Sequence, residues 1–138
     1  MNSECPFKTT FQVRIGDINY GGHLGNEQYL LLFHDARLKF LNANGFSEMD
    51  IGENVGLIMS EGHVNYKAEV FYGDELTVGV TISEIIKIRF RIDYVVERAR
   101  DQKVVATGYT WMVAFDYHRR KVSKIPTSFL VKMGLVES

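Results

Sequence analysis

Between Asn26 and Asn44 the chain spells a helix that is apolar around most of its circumference. Tyr29, Phe33, Ala36 and Phe40 recur at helical spacing, and Leu30, Leu31, Leu32, Leu38 and Leu41 spread the apolar surface well beyond one stripe. A helix of this kind is stable in water only when covered from several sides. The rest of the chain therefore has to build its cover. Asp35 and Lys39 form an i,i+4 pair on the polar face that remains. Asn44-Gly45 supplies the stop, with glycine where a left-handed backbone is needed.

The cover is written as strands. Phe11, Val13 and Ile15 alternate with polar residues and predict a first strand over 9–15. After a polar connection over 46–56, a long strand over 57–70 places Met59, Glu61, His63 and Asn65 on one face. Three more alternating runs follow, carried by Leu76 to Ile82, Ile88 to Val96 and Tyr109 to Phe115. Their links are short, at Tyr72-Gly73-Asp74, Ile85-Ile86-Lys87 and Arg100-Asp101-Gln102, which predicts an antiparallel meander. Pro126 opens a short helix over 127–133.

This order predicts an α+β fold, a curved antiparallel sheet around one long helix, within a single domain over 1–138. A long edge strand invites a second copy, so a homodimer or homotetramer is expected. A net charge of −1 argues against nucleic-acid binding through a bulk basic field. Cys5 is the sole cysteine, so an internal disulfide is excluded and a cytoplasmic setting is expected. The N-terminus lacks an apolar signal core, and no apolar run is long enough to span a membrane.

The segment ahead of the helix is unusual. Gly16-Asp17-Ile18-Asn19-Tyr20-Gly21-Gly22-His23-Leu24-Gly25-Asn26 packs four glycines among polar groups. On residue type alone, Asp17 and Asn19 serve as turn and capping residues, and His23 as a loop histidine. His34 reads as structural and His118 as a turn residue. No histidine pair has zinc-site spacing with a cysteine, so neither a metal nor a cofactor is expected.

The run from Asp17 to Tyr29, opening the helix, resembles the hot-dog-fold acyl-CoA thioesterases of the 4-hydroxybenzoyl-CoA thioesterase-like family. The run Glu61-Gly-His63-Val-Asn65-Tyr66-Lys67-Ala-Glu69-Val-Phe-Tyr-Gly73-Asp74 resembles the same family's second strand and Gly-Asp turn. The resemblance implies hydrolysis of an acyl-CoA or acyl-carrier thioester, with active sites at an edge-to-edge dimer interface. It also implies a catalytic carboxylate at the second acid of an Asp-x-Asp pair, where this chain has Asn19. An amide takes no proton usefully near neutral pH, though it can orient water or a carbonyl.

Another group must then supply the base. His23, at a position where related plant acyl-carrier-protein thioesterases carry a catalytic histidine, and Asp17 rank above Glu61 and His63. By the motif match, the N–H near Asn26 polarises the thioester oxygen, and Gly22 and Gly25 admit the substrate closely. One such donor is worth about 3–4 kcal/mol of barrier. Tyr29 serves core or acyl pocket. Arg89 and Arg91, or the cluster Arg119, Arg120, Lys121 and Lys124, are candidates for CoA phosphates or for a solvated strand face. The Asn19 departure keeps open a non-catalytic acyl-CoA-binding module, and a hydratase lacks its Asp-His or His-Glu constellation here.

Overall fold

The computed structural model describes residues 7–135. These form one six-stranded antiparallel sheet with a long helix against it. The order along the chain is β1 (Phe7–Gln12), α1 (Gln28–Ala43), β2 (Gly56–Tyr66), β3 (Glu75–Ile86), β4 (Arg89–Arg98), β5 (Lys103–Asp116), β6 (Lys121–Val122) and α2 (Thr127–Lys132). Cys5 lies outside the described residues. No described helix is long and apolar enough to cross a membrane.

Across the sheet the strands run β1-β3-β4-β5-β2, with β6 on β5. Hence β3, β4 and β5 form the expected meander, but β2 does not join it through a hairpin. It pairs with β5 at the far edge, in a register that sets His63 opposite Tyr109. The expectation that β2 and β3 pair through this link is corrected accordingly, although the turn at Tyr72-Gly73-Asp74 itself forms, with the Asp74 N–H donating to the Phe71 carbonyl at 3.0 Å. The chain from β2 to β3 crosses the end of the molecule, because β5 occupies the position next to β2 and β4 the position next to β3. That crossing segment, 67–74, runs past the start of α1.

Alternation sorts the sheet into two faces. Phe90, Ile92, Tyr94 and Val96 on β4 are buried toward α1, while Arg89, Arg91 and Asp93 point away. In α1, Tyr29, Leu32, Phe33, Ala36, Phe40 and Leu41 bury one face against the sheet. Leu30, Leu31 and Leu38 remain 38%, 57% and 41% exposed. A single sheet thus covers less of the helix than its composition demands, and the uncovered leucines lie on the flanks. Leu30 reaches over Gly62 on β2, where Met59 also packs.

The helix ends as its sequence directs. The Phe46 N–H donates to the Leu41 carbonyl at 2.8 Å and the Gly45 N–H to Asn42 at 3.0 Å, with Gly45 at φ +86°. These paired bonds close the last turn and satisfy carbonyls that would otherwise be orphaned. Asp35 and Lys39 form their ion pair at 3.1 Å.

One polar chain runs through the core. Arg37, buried midway along α1, pairs with Glu48 and donates to the Tyr94 hydroxyl at 3.1 Å. The Tyr94 hydroxyl lies 2.8 Å from the Thr110 hydroxyl, and the Tyr94 ring stacks on Phe33 at 4.3 Å. His34 joins Glu48 from the same helix at 3.2 Å. The helix, the loop after it and two strands are therefore held by satisfied polar groups as well as by packing.

Candidate active site

The loop between β1 and α1 is built around a clamp. The Arg14 backbone N–H donates to Asp17 Oδ2 at 2.8 Å, and its guanidinium meets both carboxylate oxygens at 3.1 Å. Burial opposes the Asp17 charge, but the Arg14 hydrogen bonds outweigh it and hold the carboxyl below its ordinary range. The Asp17 carbonyl in turn accepts the Gly25 N–H at 3.2 Å.

Beyond Asp17 the chain doubles back. Ile18 pairs with Leu24, the Asn19 N–H donates to the His23 carbonyl at 2.9 Å, and the Gly22 N–H returns to the Asn19 carbonyl at 3.0 Å. The Asn19 side-chain oxygen accepts the Gly21 N–H at 2.8 Å, a local Asx turn. Gly22 sits at φ +85°, where a side chain would be strained. At Gly21, a Cβ would stand 3.2 Å from His23 Nε2 and 3.3 Å from Asn19 Oδ1. The missing side chain leaves an open position flanked by an imidazole and an amide.

The crossing segment docks on this hairpin. The Leu24 N–H donates to the Val70 carbonyl at 2.7 Å, and His23 bridges to Phe71, whose ring meets the imidazole edge-on at 6.4 Å. A cleft of about 260 Å³ opens between the two, lined by His23, Asn26, Tyr29, Tyr66, Lys67 and Glu69 among others. Tyr66 lies edge-on to Tyr29 with ring centres 5.3 Å apart. Burial, aided by Tyr66, pushes the Tyr29 phenol up to about 12, so it stays neutral.

The start of α1 faces the same cleft. The Gln28 N–H donates to the Gly25 carbonyl at 3.0 Å and the Tyr29 N–H to the Asn26 carbonyl at 3.3 Å. The N–H groups of Asn26 and Glu27 make no hydrogen bond among the described residues. At Gly25, a Cβ would stand 2.8 Å from the Glu27 carboxylate, which folds back over the glycine.

Asp17, Asn19, Gly22, His23, Gly25, Asn26 and Tyr29 are thus gathered around the first turn of α1. Glu61, His63, Arg89 and Arg91 are not. Strand alternation places them on the sheet face turned away from the helix. There His63 stacks on Tyr109 at 5.1 Å, and Arg91 lies 4.0 Å over the same ring while paired with Asp93 at 2.8 Å. Arg89 covers Trp111 at 4.4 Å. Arg119 faces Asp116 at 3.8 Å in the turn after β5. Sequence reasoning did not single out Tyr66, Lys67 or Glu69 as site residues. Their signal lay in the length of the 67–74 link, which exceeds what a hairpin uses.

A family model described as the Thioesterase-like superfamily matches residues 13–133. A 1,4-dihydroxy-2-naphthoyl-CoA hydrolase of Synechocystis sp. is 26% identical over 117 residues, covering 83% of this chain and 85% of that protein. The crystal structure of a 1,4-dihydroxy-2-naphthoyl-CoA thioesterase from Synechocystis superposes with a TM-score of 0.83 at 24% identity, over 93% of this chain and 95% of the other. A Staphylococcus aureus protein solved in complex with CoA gives a TM-score of 0.83 at 25% identity, over 93% and 81%.

Proposed function

This chain belongs to the Thioesterase-like superfamily, and from that membership we propose that it hydrolyses an acyl-CoA thioester to a free acid and CoA. The observation that carries the reading is that His23 and the start of α1, with its unbonded Asn26 and Glu27 N–H groups, meet at one cleft, while Asn19 Oδ1 flanks the same Gly21 position as His23 Nε2. The thioester carbonyl points at the Asn26 and Glu27 N–H groups, where the helix dipole favours developing negative charge. Water sits beside Gly21, oriented by Asn19, and gives its proton to His23 as its oxygen bonds to the carbonyl carbon. Collapse of the tetrahedral intermediate breaks the carbon–sulfur bond, and the thiolate takes the proton from the imidazolium.

His23 is the base rather than Asp17. Both Asp17 oxygens are taken by Arg14, and the same contacts lower the proton affinity that a base requires. Asp17 shapes the loop that carries Asn19 and His23. Glu61, His63, Arg89 and Arg91 take no part from within the same chain, because the sheet stands between them and the cleft.

A second copy completes the particle. β2 is an edge strand, and beside it Leu30, Met59 and Ile58 are 38%, 45% and 37% exposed. Pairing of two β2 edges covers this surface and brings two clefts close to one interface. The soluble CoA carrier and the absence of a long apolar helix among the described residues fit a cytoplasmic enzyme.

Asn19 supports a rival reading as a non-catalytic acyl-CoA-binding module. Thiol release from short, long and aromatic acyl-CoAs decides between them. Turnover that His23→Ala abolishes and Asp17→Asn largely keeps supports the mechanism above. Tight acyl-CoA binding without thiol release establishes the rival, and turnover untouched by His23→Ala overturns the base assignment.

A further inference from the structure

The reaction proposed above lacks a carboxylate at position 19, and the structure supplies one from elsewhere. Glu69 Oε2 lies 4.0 Å from His23 Nε2, and both residues line the cleft. The Glu69 side chain is exposed, but its backbone is fixed on all sides. Arg98, buried and held by Asp101 at 2.7 Å, donates to the Glu69 carbonyl at 2.8 Å. The Lys67 and Ala68 N–H groups donate to the Val105 carbonyl at 2.9 and 3.1 Å, and Val70 receives the Leu24 N–H at 2.7 Å. The residue on either side of Glu69 is therefore tied to β5 or to the His23 hairpin.

We propose that Glu69 is a positioning residue for His23: its carboxylate, beside the Nε2 that faces the water at Gly21, orients the ring and stabilises the imidazolium that forms when Nε2 takes the water's proton. Glu69 thereby stands in for the acid that position 19 has lost, acting through the ring rather than on the substrate. This rests on the reading of His23 as the base. The other ionisable groups around the ring are Tyr29 from α1, Tyr66 from the end of β2 and Lys67 from the crossing segment. The Asp17 carboxylate is turned to Arg14, and that of Glu27 lies over Gly25. Glu69 is thus the free carboxylate aimed at the imidazole, with Lys67 opposing its effect.

The test compares wild type, Glu69→Gln, Glu69→Asp and His23→Gln by two readouts. One is an NMR titration of the His23 ring in the intact protein without substrate. The other is the pH profile of kcat/KM for thiol release from benzoyl-CoA or the best acyl-CoA of the screen. In Glu69→Gln the His23 titration and the acid limb of the profile move together to lower pH by about half a unit, more at low salt than at high. The same variant lowers kcat by about tenfold with KM little changed. Glu69→Asp keeps the charge and restores most of both. A His23 titration unmoved by Glu69→Gln overturns the inference, even if activity falls. His23→Gln that retains full turnover overturns the base reading instead, whatever the titration reports.

Discussion

Tyr66, the last residue of β2, donates its hydroxyl to the carbonyl of Asn26 across 3.3 Å and so ties the sheet edge to the first turn of α1. The bond orients the peptide that leads into Glu27, whose N–H is one of the two proposed oxyanion donors. Tyr66→Phe removes it while keeping the edge-on packing against Tyr29. The expected outcome is a fall in kcat of about fivefold, since one neutral hydrogen bond is worth about 1 kcal/mol. Steady-state thiol release checks this. A variant with unchanged kcat shows that the first turn holds its direction without the bond.

The Arg14–Asp17 clamp makes a stability prediction with a defined pH window. The folded-state pKa of Asp17 is depressed, so its contribution is fully present above the unfolded carboxyl range near 3.8 and is lost as pH falls through the folded value. Asp17→Asn therefore lowers the melting temperature at pH 7, on the order of 5 °C. The gap between variant and wild type closes as pH falls through the depressed folded value. Thermal denaturation across pH measures it. A gap that persists unchanged at acid pH means that the clamp acts through shape and not through charge.

Asn19→Asp returns a carboxylate to the position where the family pattern has one. The new side chain still accepts the Gly21 N–H, so the turn survives. The added anion lies on the opposite flank of Gly21 from the imidazole and favours its charged form. The acid limb of kcat/KM is expected to move up by about one pH unit, opposite to the Glu69→Gln shift. Turnover at pH 8 is expected to equal or exceed that of wild type. A limb that stays in place would separate the Asn19 side chain from the ring functionally.

Gly21 and Gly25 differ in what a methyl group would meet. Gly21→Ala inserts a carbon 3.2 Å from His23 Nε2 and 3.3 Å from Asn19 Oδ1, displacing the proposed water. About a tenfold loss of kcat is expected with little change in melting temperature, because the loop is exposed. Gly25→Ala meets only the tip of Glu27, at 2.8 Å, and a flexible carboxylate moves aside easily. Its kcat is expected to change by less than about threefold. Equal losses in both variants would argue against a water beside Gly21.

The β2 edge predicts a dimer in solution. Met59→Lys places a charge in the exposed apolar patch shared with Leu30 and is expected to raise the dissociation constant at least about tenfold. Sedimentation equilibrium measures it. A wild-type chain that is monomeric at micromolar concentration removes the second-copy proposal.

Much of this was legible in the residues. The helix is announced by Tyr29, Phe33, Ala36 and Phe40 and closed by Asn44-Gly45, because local periodicity and capping act over a few residues. The glycine loop announced itself by glycines interleaved with Asp17, Asn19 and His23. The place of β2 was not legible. Its alternation is the same whether it pairs with β3 or β5, and a Gly-Asp turn at Gly73-Asp74 suits either. Mistaking that link hid Glu69, which gains meaning only when the segment crosses the helix end. Arg89 and Arg91 show the converse. Their charge suggested a phosphate rim, while strand parity turned them toward Trp111 and Tyr109 on the opposite face.

Arg37 acts on the cleft from a distance. A guanidinium enclosed between Glu48 and Tyr94 permits neither axial sliding nor rolling of the rod that bears it, since either motion strands a cation without partners. Such stranding is worth about 3–5 kcal/mol in comparable interiors. Reaction geometry at one tip is thus aimed from the shaft's midpoint. Breaking that anchor should therefore cost stability and loosen the aim of the tip together.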